Sequence, residues 1–359
     1  MLIPFLQLTP GEDAAVVLAA VDRVITRGWF VLGPELTAFE AEFAAASRAT
    51  EAVGVGTGTD AIAIALRALG IGPGDEVITS PLSAAFSALA IMMAGARPVF
   101  ADIDPERLTL DPDAVAAAVT TRTAAILPVH LYGQPADMPA LCGVAARHNL
   151  AIVEDCCQAH LATCGGQPVG TFGVAAAYSF YPTKNLGALG DGGALTTNDA
   201  SLAGKARRLR NGGQIDRYHH GEFGVNSRLD EIQAAVLRAR LPLLAGWTAR
   251  RRALAQEYRR QLAGVALHVP PECDPGHVYH LFPVRSRTRD VVQAALRTAG
   301  IETLIHYPVA ISRQPALAST LPARCPTAER VCDEIFSLPL YPSLPPEAVA
   351  RVTSVLAAT

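Results

Sequence analysis

Short apolar runs alternate with amphipathic segments through the first half of the chain. Continuous apolar runs favour buried strands, and an apolar period near 3.6 residues favours helices. The predicted strands are 76–80, 97–103, 124–130 and 150–155, and the predicted helices are 60–69, 84–95, 111–119 and 137–148. Asp111 and Pro112 suit the first turn of one of these helices. Alternation of this kind predicts an α/β fold, with a mainly parallel central sheet and helices on both faces.

The pattern changes after Gly224. Residues 226–262 predict a long helix with a break or kink at Pro242. Further along, the predicted strand is 278–286, and the predicted helices are 289–299, 326–335 and 346–357. We therefore predict a large α/β domain with the N-terminal segment over residues 1–245, and a smaller C-terminal α+β domain over residues 246–359.

Composition narrows the class of protein. About 50% of the 359 residues are hydrophobic, and the net charge of -3 gives no sign of nucleic acid or a membrane surface as a partner. The apolar runs are too short for a membrane span, and the first residues lack the pattern of a signal peptide. The seven cysteines include no C-x-x-C pair, so neither a disulfide framework nor a metal site is predicted. We expect a cytoplasmic protein.

Lysine is rare in this chain. Arginine supplies 28 of the 30 basic residues, and the two lysines are Lys184 and Lys205. Lys184 lies in the stretch SFYPTKNLGALGDGGA, residues 179–194. Arginine stays protonated, whereas a partly buried lysine can lose its proton and form an imine. Lys184 is therefore a candidate Schiff-base lysine, and a solvated loop lysine is the alternative.

Two other stretches carry candidate chemistry. In GVGTGTDAIAIALRALG, residues 54–70, a glycine-rich turn enters a helix whose free N–H groups suit an anion, although such turns are often only tight turns. In VEDCCQAH, residues 153–160, Asp155 ends a predicted strand. Its carboxylate either faces a cationic ring nitrogen of a cofactor or caps the start of a helix. A phosphate cradle, a ring-nitrogen carboxylate and an imine-forming lysine together indicate pyridoxal 5'-phosphate (PLP).

The chain resembles the DegT/DnrJ/EryC1/StrS family of PLP-dependent nucleotide-sugar aminotransferases. The resemblance rests on the three stretches above and on GWFVLGPEL, PVHLYGQPADM, GVNSRLDEIQAAVL and HYP. The resemblance implies a fold-type I PLP-dependent transferase. It implies that Lys184 forms the Schiff base and moves protons, and that Asp155 pairs with the pyridinium nitrogen. It places other cofactor contacts at Gly58, Thr59, Asp60, Gln158 and Ser179, and at Asn226, which would reach the neighbouring subunit of a homodimer with shared active sites.

The resemblance also implies a reaction. L-glutamate leaves its amino group on the cofactor, which alternates between PLP and its amine form PMP, and a nucleotide-linked keto-sugar then takes up that group. The motifs look more like those of enzymes acting on dTDP-3-keto-6-deoxyhexoses than like those of the 4-keto type. Candidate sugar or diphosphate contacts are Tyr218, His219, His220, His306 and Arg228. Each has a structural alternative, which for Arg228 is an ion pair with Asp230 or Glu231.

One position departs from the family pattern. The family has an aromatic residue that stacks on the PLP ring where this chain has Ala84, and Phe86 follows two residues later. Either the path of the loop differs and Phe86 covers the ring, or the stacking contact is missing. In a helix a two-residue shift turns a side chain by roughly 200°, so Phe86 is not a simple replacement, and core packing is its structural alternative. A PLP-dependent sugar dehydratase or lyase and a catalytically silent regulatory protein stay open as alternatives. The incomplete G-x-G-x-x-G pattern argues against a nicotinamide-dependent reductase.

Overall fold

The computed structural model describes residues 2–318, 321 and 323–359. The strands are β1 Glu51–Val55, β2 Glu76–Thr79, β3 Arg97–Phe100, β4 Thr123–Leu127, β5 Ala151–Asp155, β6 Thr163–Cys164, β7 Gln167–Pro168, β8 Ala175–Ser179, β9 Gly193–Thr197, β10 Gln214–Asp216, β11 His219–His220, β12 Phe282–Arg285 and β13 Ile335–Leu338. The helices are α1 Ala14–Arg27, α2 Pro34–Ala46, α3 Gly58–Ala68, α4 Phe86–Met93, α5 Pro112–Ala118, α6 Met138–His148, α7 Ala200–Arg210, α8 Glu231–Arg240, α9 Leu244–Gln261, α10 Arg289–Thr298, α11 Pro315–Ala318, α12 Pro326–Glu334 and α13 Pro346–Ala357.

A seven-stranded sheet forms the centre of the fold, in the order β1-β9-β8-β5-β4-β2-β3. Strand β9 pairs antiparallel with both β1 and β8, and the other pairs are parallel. Structures of the same fold, described below, agree with this architecture. The predicted α/β fold with a mainly parallel sheet is therefore confirmed.

Helices cover both faces of this sheet, which explains why its strands read as continuous apolar runs. On one face the strands pack against α2, α5, α6 and α8, and on the other against α3, α4 and α7. Successive strand residues point to opposite faces, so Ile152 lies in the first core and Val153 in the second. An apolar residue is thus required at almost every strand position.

The helix starts and stops follow the local signals. The Asp111 carboxylate accepts the Asp113 N–H at 2.9 Å, which caps α5 as predicted. The helix predicted over 226–262 begins later, at Glu231, and a short 3₁₀ segment, Leu241–Leu243, interrupts it at Pro242 as expected. No described helix is both long and apolar enough to cross a membrane.

A separate core lies in the C-terminal third. It joins α9, α10, α13, β12 and β13, and it includes Ile3 from the start of the chain. The Ile3 N–H donates to the Gly300 carbonyl at 2.9 Å, and the Phe5 N–H donates to the Glu302 carboxylate at 3.0 Å. The first residues therefore pack with the C-terminal unit, and the boundary at residue 245 stays a prediction.

Candidate active site

Asp155 ends β5, at the carboxyl edge of the sheet where ligands of such folds bind. Its side chain is buried, and two donors orient the carboxylate. The Ser87 hydroxyl donates to Oδ2 at 2.7 Å, and the Cys157 N–H donates to Oδ1 at 3.1 Å. Ser87 was not among the predicted site residues, because it lies 68 positions away in the sequence and only the fold brings it here.

The start of α3 lies beside Ser179, at the end of β8. A Cβ atom on Gly58 would stand 2.8 Å from the Ser179 Cβ and 2.7 Å from the Cys157 Sγ, so only glycine fits this approach. Thr57 caps the helix by accepting the Asp60 N–H at 3.0 Å, which leaves the Gly58 and Thr59 N–H groups at the helix start. Four predicted cradle residues, namely Gly58, Thr59, Asp60 and Ser179, are thus brought together.

The Asp60 side chain faces a different partner. The Ser227 hydroxyl donates to its carboxylate at 2.8 Å and accepts the Gly56 N–H at 2.9 Å. Asp60 therefore anchors the residue that follows Asn226. Its contribution to an anion site is to hold this loop, since its own N–H is used by the helix cap.

Lys184 lies in the loop 180–192 between β8 and β9, called the lysine loop below. The side chain is partly buried, and its Nζ has no hydrogen-bond or ion-pair partner among the described residues. Burial lowers the pKa of Lys184, while the nearby Cys157 and Asp155 act in the opposite direction. A depressed pKa increases the share of neutral amine, which is the nucleophilic form.

Buried polar groups surround the lysine loop. Asn185 donates to the Val278 carbonyl at 3.0 Å and contacts the His280 Nδ1 at 3.2 Å. Burial, assisted by the Lys184 charge, lowers the pKa of His306 to about 4, so this ring is neutral at pH 7. Its Nδ1 lies 3.0 Å from the Ser337 hydroxyl.

Gln158 is fixed on both sides. Its Oε1 accepts the Tyr132 N–H at 2.7 Å, and its Nε2 donates to the Tyr307 hydroxyl at 3.0 Å. Burial raises the pKa of Tyr307 to about 12, so its hydroxyl stays protonated. Tyr307 was not predicted as a site residue, although it belongs to the quoted HYP motif.

The remaining predicted residues lie on an exposed hairpin and its flank. Tyr218, His219 and His220 are exposed on the β10–β11 hairpin, and Asn226 is exposed beside it. Within the described chain none of these four hydrogen-bonds to Asp155, Ser179 or Lys184.

The alternative role considered for Arg228, an ion pair with Asp230 or Glu231, is wrong. Arg228 donates to the Asn211 amide at 3.1 Å, and among the described residues it pairs with neither Asp230 nor Glu231. The buried Glu231 carboxylate instead accepts the N–H groups of Gly33, Glu35 and Leu36, at 2.8–2.9 Å. These N–H groups belong to the start of α2, which Glu231 therefore caps from a distant part of the chain.

Phe86 does not pack in the core. It is the first residue of α4 and is 62% exposed, whereas the next residue, Ser87, is buried against Asp155. The alternative of core packing for Phe86 is therefore wrong. The loop residue Ala84 is partly buried, and its methyl group gives this position no aromatic side chain.

Beneath the site lies a buried trio, His130, Glu154 and Cys156, whose polar atoms lie within 4.8 Å of one another. His130 Nδ1 accepts the Ala136 N–H, so its Nε2 donates to Glu154 at 3.1 Å. Glu154 also accepts three N–H groups from the segment before β8, those of Gly170, Phe172 and Gly173. The hydrogen-bonding capacity of His130 and Glu154 is thus used by the protein, which makes this network a structural anchor for β8.

A cavity of about 420 Å³ opens beside Lys184. The N-terminal stretch 6–13, the lysine loop and the start of α9 form its walls. Lys184 lines this cavity, whereas Asp155 and the α3 start do not.

Known proteins are similar to this chain in sequence and in fold. Residues 12–357 match the model of the DegT/DnrJ/EryC1/StrS aminotransferase family. A dTDP-3-amino-3,4,6-trideoxy-alpha-D-glucose transaminase of Streptomyces venezuelae is 49% identical, over 98% of this chain and 94% of its own.

Two solved structures are also similar. The crystal structure of S. venezuelae DesV in complex with a ketimine intermediate superposes with a TM-score of 0.96 at 48% identity, covering 99% of this chain and 98% of DesV. That of NtdA from Bacillus subtilis with bound cofactor PMP gives a TM-score of 0.91 at 32% identity, covering 99% of this chain and 84% of NtdA. The chain belongs to the DegT/DnrJ/EryC1/StrS family of sugar aminotransferases.

Proposed function

We propose that this protein transfers the amino group of L-glutamate to a dTDP-linked 3-keto-6-deoxyhexose, with PLP held beside Lys184. The observation that carries the proposal is the convergence of three groups at one sheet edge. They are the partly buried, unpartnered amine of Lys184, the oriented carboxylate of Asp155 and the helix start at Gly58. The name of the S. venezuelae relative supports a 3-amino sugar as the product.

The residues present fit the cofactor. The N–H groups of Gly58 and Thr59 and the Ser179 hydroxyl suit a phosphate, and the lack of a Cβ on Gly58 leaves room for this close packing. The Asp155 carboxylate, held by Ser87, suits a protonated ring nitrogen. When bound, PLP supplies an electron sink that delocalises the charge left by a departing proton.

Lys184 performs the proton transfers in this proposal. As a neutral amine, its Nζ would take a proton from the donor carbon that carries the amino group, hold it, and release it to the cofactor on the other side of that nitrogen. The burial that lowers its pKa increases the share of neutral amine. A neutral His306 avoids a second positive charge close to that amine.

We propose a homodimer in which the exposed hairpin serves the site of the partner subunit. Among the described residues Lys184 makes no hydrogen bond to Tyr218, His219, His220 or Asn226. A second copy of the chain would therefore supply these four side chains to the site. Exposed apolar side chains near these elements and on α4 supply surface for association, namely Trp29, Phe30, Phe86, Leu89, Met92, Met93, Ile215 and Phe223. Arg228 keeps the loop in shape through Asn211, which bridges to Asn226.

Absorbance and product analysis test the proposed reaction. Protein loaded with PLP is expected to form a yellow band that collapses when L-glutamate is added. A dTDP-3-keto-6-deoxyhexose should then restore the band and yield a dTDP-3-amino sugar by mass spectrometry. A band that ignores glutamate contradicts the donor, and amination of the 4-keto isomer alone contradicts the sugar. Release of ammonia or a dehydrated sugar indicates a lyase or dehydratase instead.

Ala84→Phe is expected to slow PLP loss on dialysis by about two- to tenfold, because one aromatic stacking contact contributes about 0.5–1.5 kcal/mol. The measurement is the decay of the PLP absorbance in the retained protein. Ala84→Leu is the matched control and should slow the loss less, because it adds bulk at the same position without an aromatic face. If Ala84→Phe loses PLP as fast as the wild-type protein or faster, the face of the PLP ring is not open at position 84.

A further inference from the structure

The cavity beside Lys184 is lined by an arginine that has no counter-ion among the described residues. Its volume of about 420 Å³ falls within the usual range for small-molecule sites. Three arginines line it. Arg240 pairs with Asp13 at 2.8 Å, and Arg250 pairs with Glu12. Arg251 pairs with no carboxylate in the part of the chain that the structure describes.

Arg251 is held in place yet only half used. It is 7% exposed, and its Nη1 donates to the carbonyl oxygens of Tyr279, His280 and Leu340 at 2.8–3.3 Å. Among the described residues the buried Nε has no hydrogen-bond partner. The hydrogen bonds that Arg251 makes to them all come from Nη1, so Nη2 makes none there. Nε and Nη2 form the side edge of the guanidinium plane, which binds both oxygens of a carboxylate or phosphate.

Leaving this edge empty is unfavourable. A buried donor without an acceptor is destabilising, and more so when the group is charged. Burial lowers the pKa of Arg251 to about 10, so the side chain is still a cation at pH 7. A bound anion would satisfy the unused donors and neutralise the charge.

Two hydrogen bonds connect Arg251 to the lysine loop. Arg251 binds the His280 carbonyl, and the His280 ring contacts Asn185, the residue after Lys184. The same cavity is lined by both Arg251 and Lys184. An anion bound at Arg251 would therefore be part of a molecule close to the reacting amine.

We propose that Arg251 binds an oxyanion of a substrate in this cavity, side-on through Nε and Nη2. The proposal rests on the proposed function, whose substrates offer two groups with this chemistry. They are a carboxylate of L-glutamate and the diphosphate of the nucleotide sugar. Both are planar or forked oxyanions that a guanidinium edge recognises, and the experiment below separates them.

Trp247 supplies a reporter for the test. It lines the same cavity, and the chain has only one other tryptophan, Trp29. In a Trp29→Phe background, fluorescence of the holoenzyme therefore reports on this cavity. The probes are glutarate, a dicarboxylate without an amino group, and dTDP. Neither probe requires turnover, so failure of this inference and failure of the proposed reaction are distinguishable.

Arg251→Lys is expected to weaken binding of one probe at least tenfold, because lysine keeps the charge but lacks the two-donor edge. Arg252→Lys is the matched control. Arg252 is the next residue of α9, donates to the His277 carbonyl at 2.9 Å and does not line the cavity, so binding should be unchanged. Loss for glutarate alone assigns the site to the amino donor, and loss for dTDP alone assigns it to the diphosphate.

Unchanged affinity for both probes in folded Arg251→Lys would overturn the proposal. If that variant does not fold, the proposal is tested in the protein that retains Arg251, by comparing the charged probes with uncharged analogues. Glutaramide should bind at least tenfold more weakly than glutarate, or thymidine at least tenfold more weakly than dTDP, depending on which of the two charged probes binds. Equal binding of the charged and uncharged members, or no response of Trp247 to any of them, also overturns it.

Discussion

Replacing Lys184 by alanine is expected to reduce amino transfer at least about a thousandfold, because general acid–base catalysis alone contributes roughly 10²–10⁴-fold and the nucleophilic amine is lost as well. The yellow band that L-glutamate discharges should not form in Lys184→Ala. The measurement combines the absorbance spectrum with PLP and the rate of amino-sugar formation.

The chain provides a matched control for this prediction. Lys205, on α7, is the only other lysine, and Lys205→Ala should keep both the band and the rate. A normal band in Lys184→Ala, or its loss in Lys205→Ala, would assign the amine chemistry to another group.

The same variant tests the shared site. Lys184→Ala and Asn226→Asp would each be impaired as homodimers, the second because a carboxylate would repel the phosphate. After the two are mixed and exchanged, the rate should recover to about a quarter of wild type, because half of randomly paired dimers carry one intact site of two. No recovery in exchanged dimers would place Asn226 in the site of its own chain.

Asp155→Asn is expected to slow amino transfer by about a hundred- to a thousandfold, the range for removing one preorganised electrostatic contact at a reacting centre. Asparagine has nearly the same shape. Its Oδ1 can still accept the Cys157 N–H, and its Nδ2 can donate to the Ser87 hydroxyl, so the fold should survive. It lacks the charge that keeps a ring nitrogen protonated. The measurement is the rate of the L-glutamate half-reaction, with the PLP band as proof of loading.

Ser87→Ala separates charge from orientation. It removes one of the two donors to Asp155 but keeps the carboxylate, so the half-reaction should slow only several-fold. A loss in Ser87→Ala as large as in Asp155→Asn would mean that orientation rather than charge dominates. An unchanged rate in Asp155→Asn would remove Asp155 from the catalytic groups.

Local sequence signals predicted the part of the fold that holds the cofactor residues. Each predicted strand before Asp155 coincides with an observed strand, because burial on both faces requires an unbroken apolar run. The glycine at position 58 and the cap at Thr57 are also local features. α1 and α2 were not predicted, although their buried residues, at 17, 20 and 24 and at 36, 39 and 43, follow the helical spacing.

Other features depend on contacts between distant segments and leave no local signal. Glu231 looked like a partner for a neighbouring arginine, but it caps a helix almost 200 residues earlier in the chain. Ser87 reaches Asp155 only because both lie at the same edge of the sheet. That Arg251 has no counter-ion among the described residues is visible only in the structure, since the run of three arginines at 250–252 does not tell which of them has a carboxylate partner.

The pairing of the first residues with the C-terminal unit also constrains folding during synthesis. The Phe5 N–H meets its acceptor on Glu302, 297 positions later. At about 5–20 residues per second, a ribosome needs roughly 15–60 s to make that length of chain. Through that interval Ile3 lacks its partners in the C-terminal core and the Phe5 N–H lacks its acceptor, while the strands of the central sheet have already been made. Residues 3–5 are therefore synthesised long before their C-terminal partners and are among the last to reach their native place.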